Sequence, residues 1–124
     1  MKTIYPSEYD ECVAFVNFLE IKGLKFSHLA QSTFSKSWGV KMKNQKMGVR
    51  RGVPDYLVIV PVKTGHVLCF VEMKRTKGGV ISDEQTSWIE SLNGIVNVQA
   101  KVCYGAEDAQ TFIQSVMEHG QSIS

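Results

Sequence analysis

Three ionisable residues stand at spacings that could support hydrolytic chemistry: Asp55 directly after Pro54, then Glu72 and Lys74 with one residue between them. Side chains alternate along a β-strand, so on the apolar run Leu68-Cys-Phe-Val-Glu72-Met-Lys74 the glutamate and the lysine project from the same face. A charge at the end of such a strand is costly unless it is paired or ligated. If the run ending at Glu72 forms a hairpin with the run that starts after Asp55, both carboxylates come to the same end of the sheet. Two carboxylates would hold Mg²⁺, with Mn²⁺ as a substitute, and leave coordination sites for water and phosphate. The ion would polarise a phosphoryl oxygen and lower the pKa of a bound water. Lys74 would orient that water or offset charge developing on phosphorus. A plainer reading also fits the spacing: Asp55 as a turn residue, and Glu72 and Lys74 as an exposed same-face ion pair.

The elements that must position these residues can be read from periodicity. Cys12, Phe15, Val16 and Leu19 recur at helical spacing between a capping Ser7 and a terminating Gly23. Leu24 to Ala30 reads as a strand. Tyr56 to Val60 is a continuous apolar run suited to a strand buried on both faces. Residues 61–66, Pro-Val-Lys-Thr-Gly-His, form a turn, and Val67 to Lys74 completes a hairpin. Gly78-Gly79 interrupts the chain. Ser82-Asp-Glu-Gln85 is a capping box that opens a helix through Trp88, Ile89 and Leu92, ended by Gly94. Val96 to Tyr104 is a further strand, and Ala106 to Glu118 a closing helix. The order is α-β-β-β-α-β-α, an α/β fold with helices on a mixed sheet, in one domain spanning residues 1–124.

Charge is unevenly distributed although the net charge is only +2. Between Ile21 and Pro54 there are eight Lys/Arg and no acid, whereas from Ser82 onward six acids face Lys101 alone. The positive side suits a polyanion; a solvated surface loop would carry the same charges. Gln31 to Gly52 shows no periodic element, and a stretch beyond about 15 residues of that kind is usually a functional loop or a disordered one. Phe34 and Trp38 lie within it, placed either to stack on unpaired bases or to pack the loop on its own domain. Cys12, Cys69 and Cys103 form no metal-ligand spacing with one another or with the histidines, and Cys69 and Cys103 read as core residues. There is no apolar run of about 18 residues and no signal-like N-terminus, so a cytoplasmic location is expected.

Taken together, Lys46-Met-Gly-Val-Arg-Arg-Gly-Val-Pro-Asp55, Phe70-Val-Glu-Met-Lys-Arg75, Gly78-Gly79, Ser82 to Leu92 and Val102 to Ala109 resemble the VRR-NUC domain. That family belongs to the PD-(D/E)XK, or restriction-endonuclease-like, superfamily and includes small stand-alone phage and bacterial proteins. The resemblance implies that the cytoplasm in question is that of a bacterial or phage-infected host cell. It runs from Glu8 to about Ile113. It implies that Asp55 and Glu72 bind metal, that Lys74 is the motif lysine, and that Gln85 reaches the active site. Gln85 has a competing task as the N3 partner of Ser82. The family also carries an acid on the first helix, a role for which Glu8 and Glu11 both qualify and Glu8 is favoured. Glu8 shares the stripe of Cys12, Phe15 and Leu19 and is expected to face the sheet as a third metal-binding carboxylate; Glu11 is expected at the edge of that stripe. Relatives often read His-x-x-Asn where this chain has His28-Leu-Ala-Gln31, which leaves Gln31 without a role and His28 as a neighbour of the site.

Lys36, Lys41, Lys43, Lys46, Arg50 and Arg51 would contact phosphates, giving affinity and register without sequence choice. The expectation is a metal-dependent endonuclease on DNA. The resemblance implies branched or Holliday-junction DNA, and family and size imply a two-fold homodimer that presents two sites to two strands. A non-catalytic nucleic-acid-binding module would be expected to have lost a core residue, and a nucleotide phosphoesterase would not need the basic stretch.

Overall fold

The computed structural model describes residues 4–29 and 37–120. Along the chain these form α1 (Glu8–Ile21), β1 (Lys25–His28), α2 (Trp38–Lys46), β2 (Tyr56–Val62), β3 (Gly65–Lys74), α3 (Asp83–Asn93), β4 (Val98–Tyr104) and α4 (Ala106–His119). The expected order is present with one addition. Helix α2 occupies the basic stretch that carries no periodic signal, because every described residue of that helix except Asn44 is exposed. With no apolar stripe to bury, it leaves no pattern in the sequence.

The four strands form one mixed sheet in the order β1-β2-β3-β4. β1 pairs antiparallel with β2, and β2 with β3; β4 runs parallel to β3. Connecting parallel β3 and β4 requires a crossover, which α3 provides. Its start is fixed locally: Ser82 accepts from the Gln85 N–H and Gln85 returns a bond to the Ser82 N–H, the reciprocal capping box expected from the sequence. α1 begins with the same device, built from Ser7 and Asp10.

One sheet face carries the core. Tyr56, Val58 and Val60 of β2 and Val67, Cys69, Val71 and Met73 of β3 are buried against Phe15 and Leu19 of α1 and Ala109, Ile113 and Val116 of α4. Fully burying a side chain of the size of Phe15 or Leu19 contributes roughly 1.5–3 kcal/mol, and these two hold α1 on the sheet. Cys69 and Cys103 belong to this core as expected, and burial pushes both thiols up to about 12. The opposite face carries Leu57, Ile59, Leu68 and Phe70, which remain half-buried, and ends in Glu72 and Lys74. α3 lies on that side over β4, where Asn93 clamps the Ala100 backbone through an N–H and a C=O at once. Among the described residues no helix is long and apolar enough to cross a membrane.

Candidate active site at the end of the β2–β3 hairpin

The hairpin register brings the first two candidates together. Tyr56 pairs with Val71, so the preceding Asp55 falls opposite Glu72. Asp55 is also tied to the next residue of β3, accepting from the Met73 N–H at 2.8 Å, and its carbonyl accepts from the Leu29 N–H at 2.7 Å beyond the end of β1. Three strands therefore fix its backbone and carboxylate.

Glu72 is only 3% exposed. Its Oε1 accepts from Gln85 Nε2 at 2.8 Å, while its Oε2 is buried with no hydrogen-bond partner. Burial above all, and then the adjoining Asp55 carboxyl, pushes its pKa up to about 9; Lys74 pulls the other way. Lys74 shares the face of Glu72, half-buried, and the chain folds back over its Cβ at Gly79, where any side chain would collide with it. An ion pair exposed to solvent, the plainer reading of Glu72 and Lys74, is not what the burial of Glu72 describes.

Gln85 performs both of its tasks. Its Oε1 accepts from the Ser82 N–H at 2.9 Å while its Nε2 reaches Glu72. The two tasks compete only if they need the same atom, and an amide separates acceptor from donor. The capping box thus aims an amide donor at the buried carboxylate. Gly52 brings the basic segment against the same helix start: with φ +92°, its added Cβ would lie 2.6 Å from the Glu84 carbonyl carbon and 2.8 Å from the Gln85 nitrogen.

The first-helix acids are placed differently from expectation. Glu11 is the buried one, 8% exposed, and its Oε2 accepts from Thr76 Oγ1 at 2.6 Å in the turn after β3. Gly105, at φ +98°, leaves room for that contact, since a side chain there would collide with Glu11 Oε2 and Thr76 Oγ1. Glu8 is exposed in the first turn of α1, near enough for its charge to raise the proton affinity of Glu72. The burial stripe runs through Glu11, Phe15 and Leu19, a spacing of four, rather than through the phase containing Glu8. Among the described residues no three His, Cys, Asp or Glu side chains gather closely enough to hold one ion. The three-carboxylate set of Glu8, Asp55 and Glu72 is therefore not assembled in this arrangement, because Glu8 stays on the rim.

His28 ends β1, exposed, with its ring edge-on to Tyr56 at 5.1 Å. Lys41, Lys43 and Lys46 are exposed on α2, and Arg50 and Arg51 in the turn that follows. Arg50 donates to the Gln45 and Val49 carbonyls at 3.1 and 3.2 Å, so part of its guanidinium closes the C-terminal end of α2. Lys36, Gln31 and Phe34 lie outside the described residues. Thr76 carried no sequence signal, and Gly52 and Gly105, which stand in segments that resemble the family, had no role assigned, since each acts through a contact with a distant element.

The donor set can be weighed against a divalent cation on its chemistry. Two carboxylates meet at one strand end, and one buried oxygen lacks the partner that such an atom almost always has. Mg²⁺ is commonly bound through one or two carboxylates, with waters and substrate phosphate completing its shell. Asp55 and Glu72 fit that requirement.

A mixed sheet flanked by helices, with two carboxylates and a lysine at the end of a hairpin, defines the PD-(D/E)XK class. The sequence profile of the VRR-NUC domain matches residues 4–107, and the chain belongs to that family. A solved structure described as "VRR_NUC domain protein" superposes with a TM-score of 0.71 at 19% sequence identity, covering 100% of both chains, which shows a shared fold. No curated protein matches the sequence. Membership in the family supports a nuclease-type function.

Proposed function

We propose that this chain is an Mg²⁺-dependent endonuclease that hydrolyses DNA phosphodiester bonds, with Asp55 and Glu72 as the metal-binding carboxylates. The observation that carries the proposal is the unpartnered, buried Oε2 of Glu72 opposite Asp55. A bound Mg²⁺ or Mn²⁺ would supply a polarised phosphoryl oxygen and a water of lowered pKa. The chain's own residues do the rest. Met73 N–H and Gln85 Nε2 hold one oxygen of each carboxylate, leaving the others to face a ligand. Lys74 lies on the same face, positioned to orient the attacking water or to stabilise charge on the phosphoryl oxygens. Glu8, on the rim, would add its negative charge to that of the two carboxylates that would hold the cation.

The exposed cations Lys41, Lys43, Lys46, Arg50 and Arg51, together with Lys36, would hold backbone phosphates. We infer a structure-selective substrate, branched DNA or a Holliday junction, cut by a homodimer. One site cuts one strand, and the half-buried apolar residues Leu57, Ile59, Leu68 and Phe70 beside the site give a second copy an apolar surface to cover.

The deciding experiment incubates the protein with labelled linear, flap and four-way DNA in Mg²⁺, Mn²⁺ or EDTA. Cleavage in either cation and none in EDTA is expected, abolished by Asp55→Ala and Glu72→Ala. Binding without cleavage of any substrate would make the chain a nucleic-acid-binding module instead. Equal rates on linear and four-way DNA would leave a nuclease and remove the junction preference. Light scattering showing only monomer on DNA would remove the dimer.

A further inference from the structure

A groove of about 380 Å³ opens between α2 and the segment after it, with Trp38, Lys41, Met42, Val49 and Arg51 among its walls. Trp38, the first residue of α2, is 75% exposed. Among the described residues no acidic side chain lines the groove, and three cations do, Lys41, Arg50 and Arg51. Arg50 bonds across the end of α2 to the Gln45 and Val49 carbonyls, so that wall is braced. An indole face left open among cations has two complementary surfaces to offer, one for a flat apolar ring and one for phosphate. A nucleotide supplies both. Bases inside a duplex have their faces covered by their neighbours, so only an unpaired, unstacked base presents a free face to an indole.

We propose that this groove binds an unpaired base of the DNA substrate, stacked on Trp38, with the flanking phosphates held by Lys41 and Arg51. The proposal rests on the nuclease reading for where the strand goes next. Gly52 presses on the backbone of Glu84 and Gln85, and Gln85 is bonded to Glu72, so the groove is joined to the site by direct contacts. Arg51 is four residues from Asp55. Four residues span at most about 14 Å, which is about four nucleotides of a stacked strand at roughly 3.4 Å each. The phosphate held by Arg51 therefore lies within a few nucleotides of the bond that is cut, with the base on Trp38 farther along the same strand. The groove is then what makes the enzyme sense a strand opening: a fully paired duplex meets the phosphate contacts but leaves the indole bare.

The chain has two tryptophans, and Trp88 lies on α3, so Trp88→Phe leaves Trp38 as the sole indole reporter. In EDTA, where the metal-dependent step is silent, titration with a single-stranded oligonucleotide or an open flap should quench Trp38 fluorescence. A blunt duplex of the same sequence should bind without quenching it. Trp38→Ala should weaken single-strand binding by about 5- to 150-fold, the range of one base–aromatic stack, and leave duplex binding unchanged; Trp38→Phe should restore most of the loss. Equal quenching by the duplex would overturn the proposal. So would a Trp38→Ala loss shared equally by duplex and single strand, or no loss at all. A fluorescent base analogue stepped along a flap should respond at about one or two adjacent positions and lose that response in Trp38→Ala, and an equal response at every position would also overturn it. These readouts need no cleavage: quenching without cleavage would sink the nuclease reading and keep the groove, and cleavage without quenching would do the reverse.

Discussion

Glu72 combines burial, an unbonded oxygen and a neighbouring carboxyl, and each makes ionisation costly. Its pKa rises from 4.5 to about 9, so over that window the folded chain holds a proton that the unfolded chain has released. Stability then falls as pH rises from the lower value toward the upper. Metal-free protein should melt at lower temperature near pH 8.5 than near pH 5.5, and Glu72→Gln should flatten the difference; calorimetry across pH checks both. A cation needs the ionised carboxylate, so Mg²⁺ binding near pH 7 should release up to about one proton. Titration calorimetry in buffers of different ionisation enthalpy would read that proton, and its absence would refute the raised pKa. Gln85 acts through Glu72 as a positioning residue. Gln85→Ala should cost about 10- to 100-fold in metal affinity or cleavage, with a fold change in the metal requirement that a merely weakened helix cap would not produce.

Elements reach the site through close contacts that tolerate no extra atoms. Gly52 lies against the first turn of α3 in a left-handed conformation, so Gly52→Ala adds both backbone strain and a collision with Glu84 and Gln85. A loss of about 1–3 kcal/mol in stability is expected, and cleavage should fall further than the melting temperature explains because Gln85 moves. Glu11 and Thr76 link α1 to the turn after β3, beside Gly105. Glu11→Ala removes a hydrogen bond to a buried carboxylate and should cost up to about 1.5–3 kcal/mol. The double variant with Thr76→Val should cost less than the two single losses added together, by roughly 0.5–3 kcal/mol; chemical denaturation of all four proteins tests this. Additive losses would mean that the two side chains do not act as a pair.

At the scale of the whole molecule, the cations of α2 and its trailing turn stand on a stretch of chain without acids, whereas six of the twelve acids lie from Ser82 onward. The described exposed cations in that part are Lys41, Lys43, Lys46, Arg50 and Arg51. If all five meet phosphates, the logarithm of duplex affinity should fall with the logarithm of salt at a slope of up to about −4.5. Replacing Lys41 and Lys43 by alanine should make that slope shallower by about 0.9 for each phosphate left without its cation. A slope near zero in a filter-binding series would show that the positive side does not carry the nucleic acid.

Much of the fold was legible because it is encoded by neighbours in sequence. Ser7 and Ser82 cap helices through residues three positions on; the apolar runs of β2 and β3 announce a hairpin; strand alternation puts Glu72 and Lys74 on one face. Hairpin pairing then places Asp55 opposite Glu72, so the heart of the candidate site was accessible to local rules. Helix α2 was not, since an exposed helix has no apolar stripe to betray it. Only tertiary packing decided that Glu11 rather than Glu8 is buried: a small rotation of α1 about its axis, set by Phe15 and Leu19 against the sheet, exchanges the two. Packing likewise decided that Gln85 serves both Ser82 and Glu72, and that Glu72 Oε2 is left without a partner. Residue types and local spacing specify which groups exist and which face they leave. Burial, and with it proton affinity and readiness for a cation, depends on atoms contributed by distant segments.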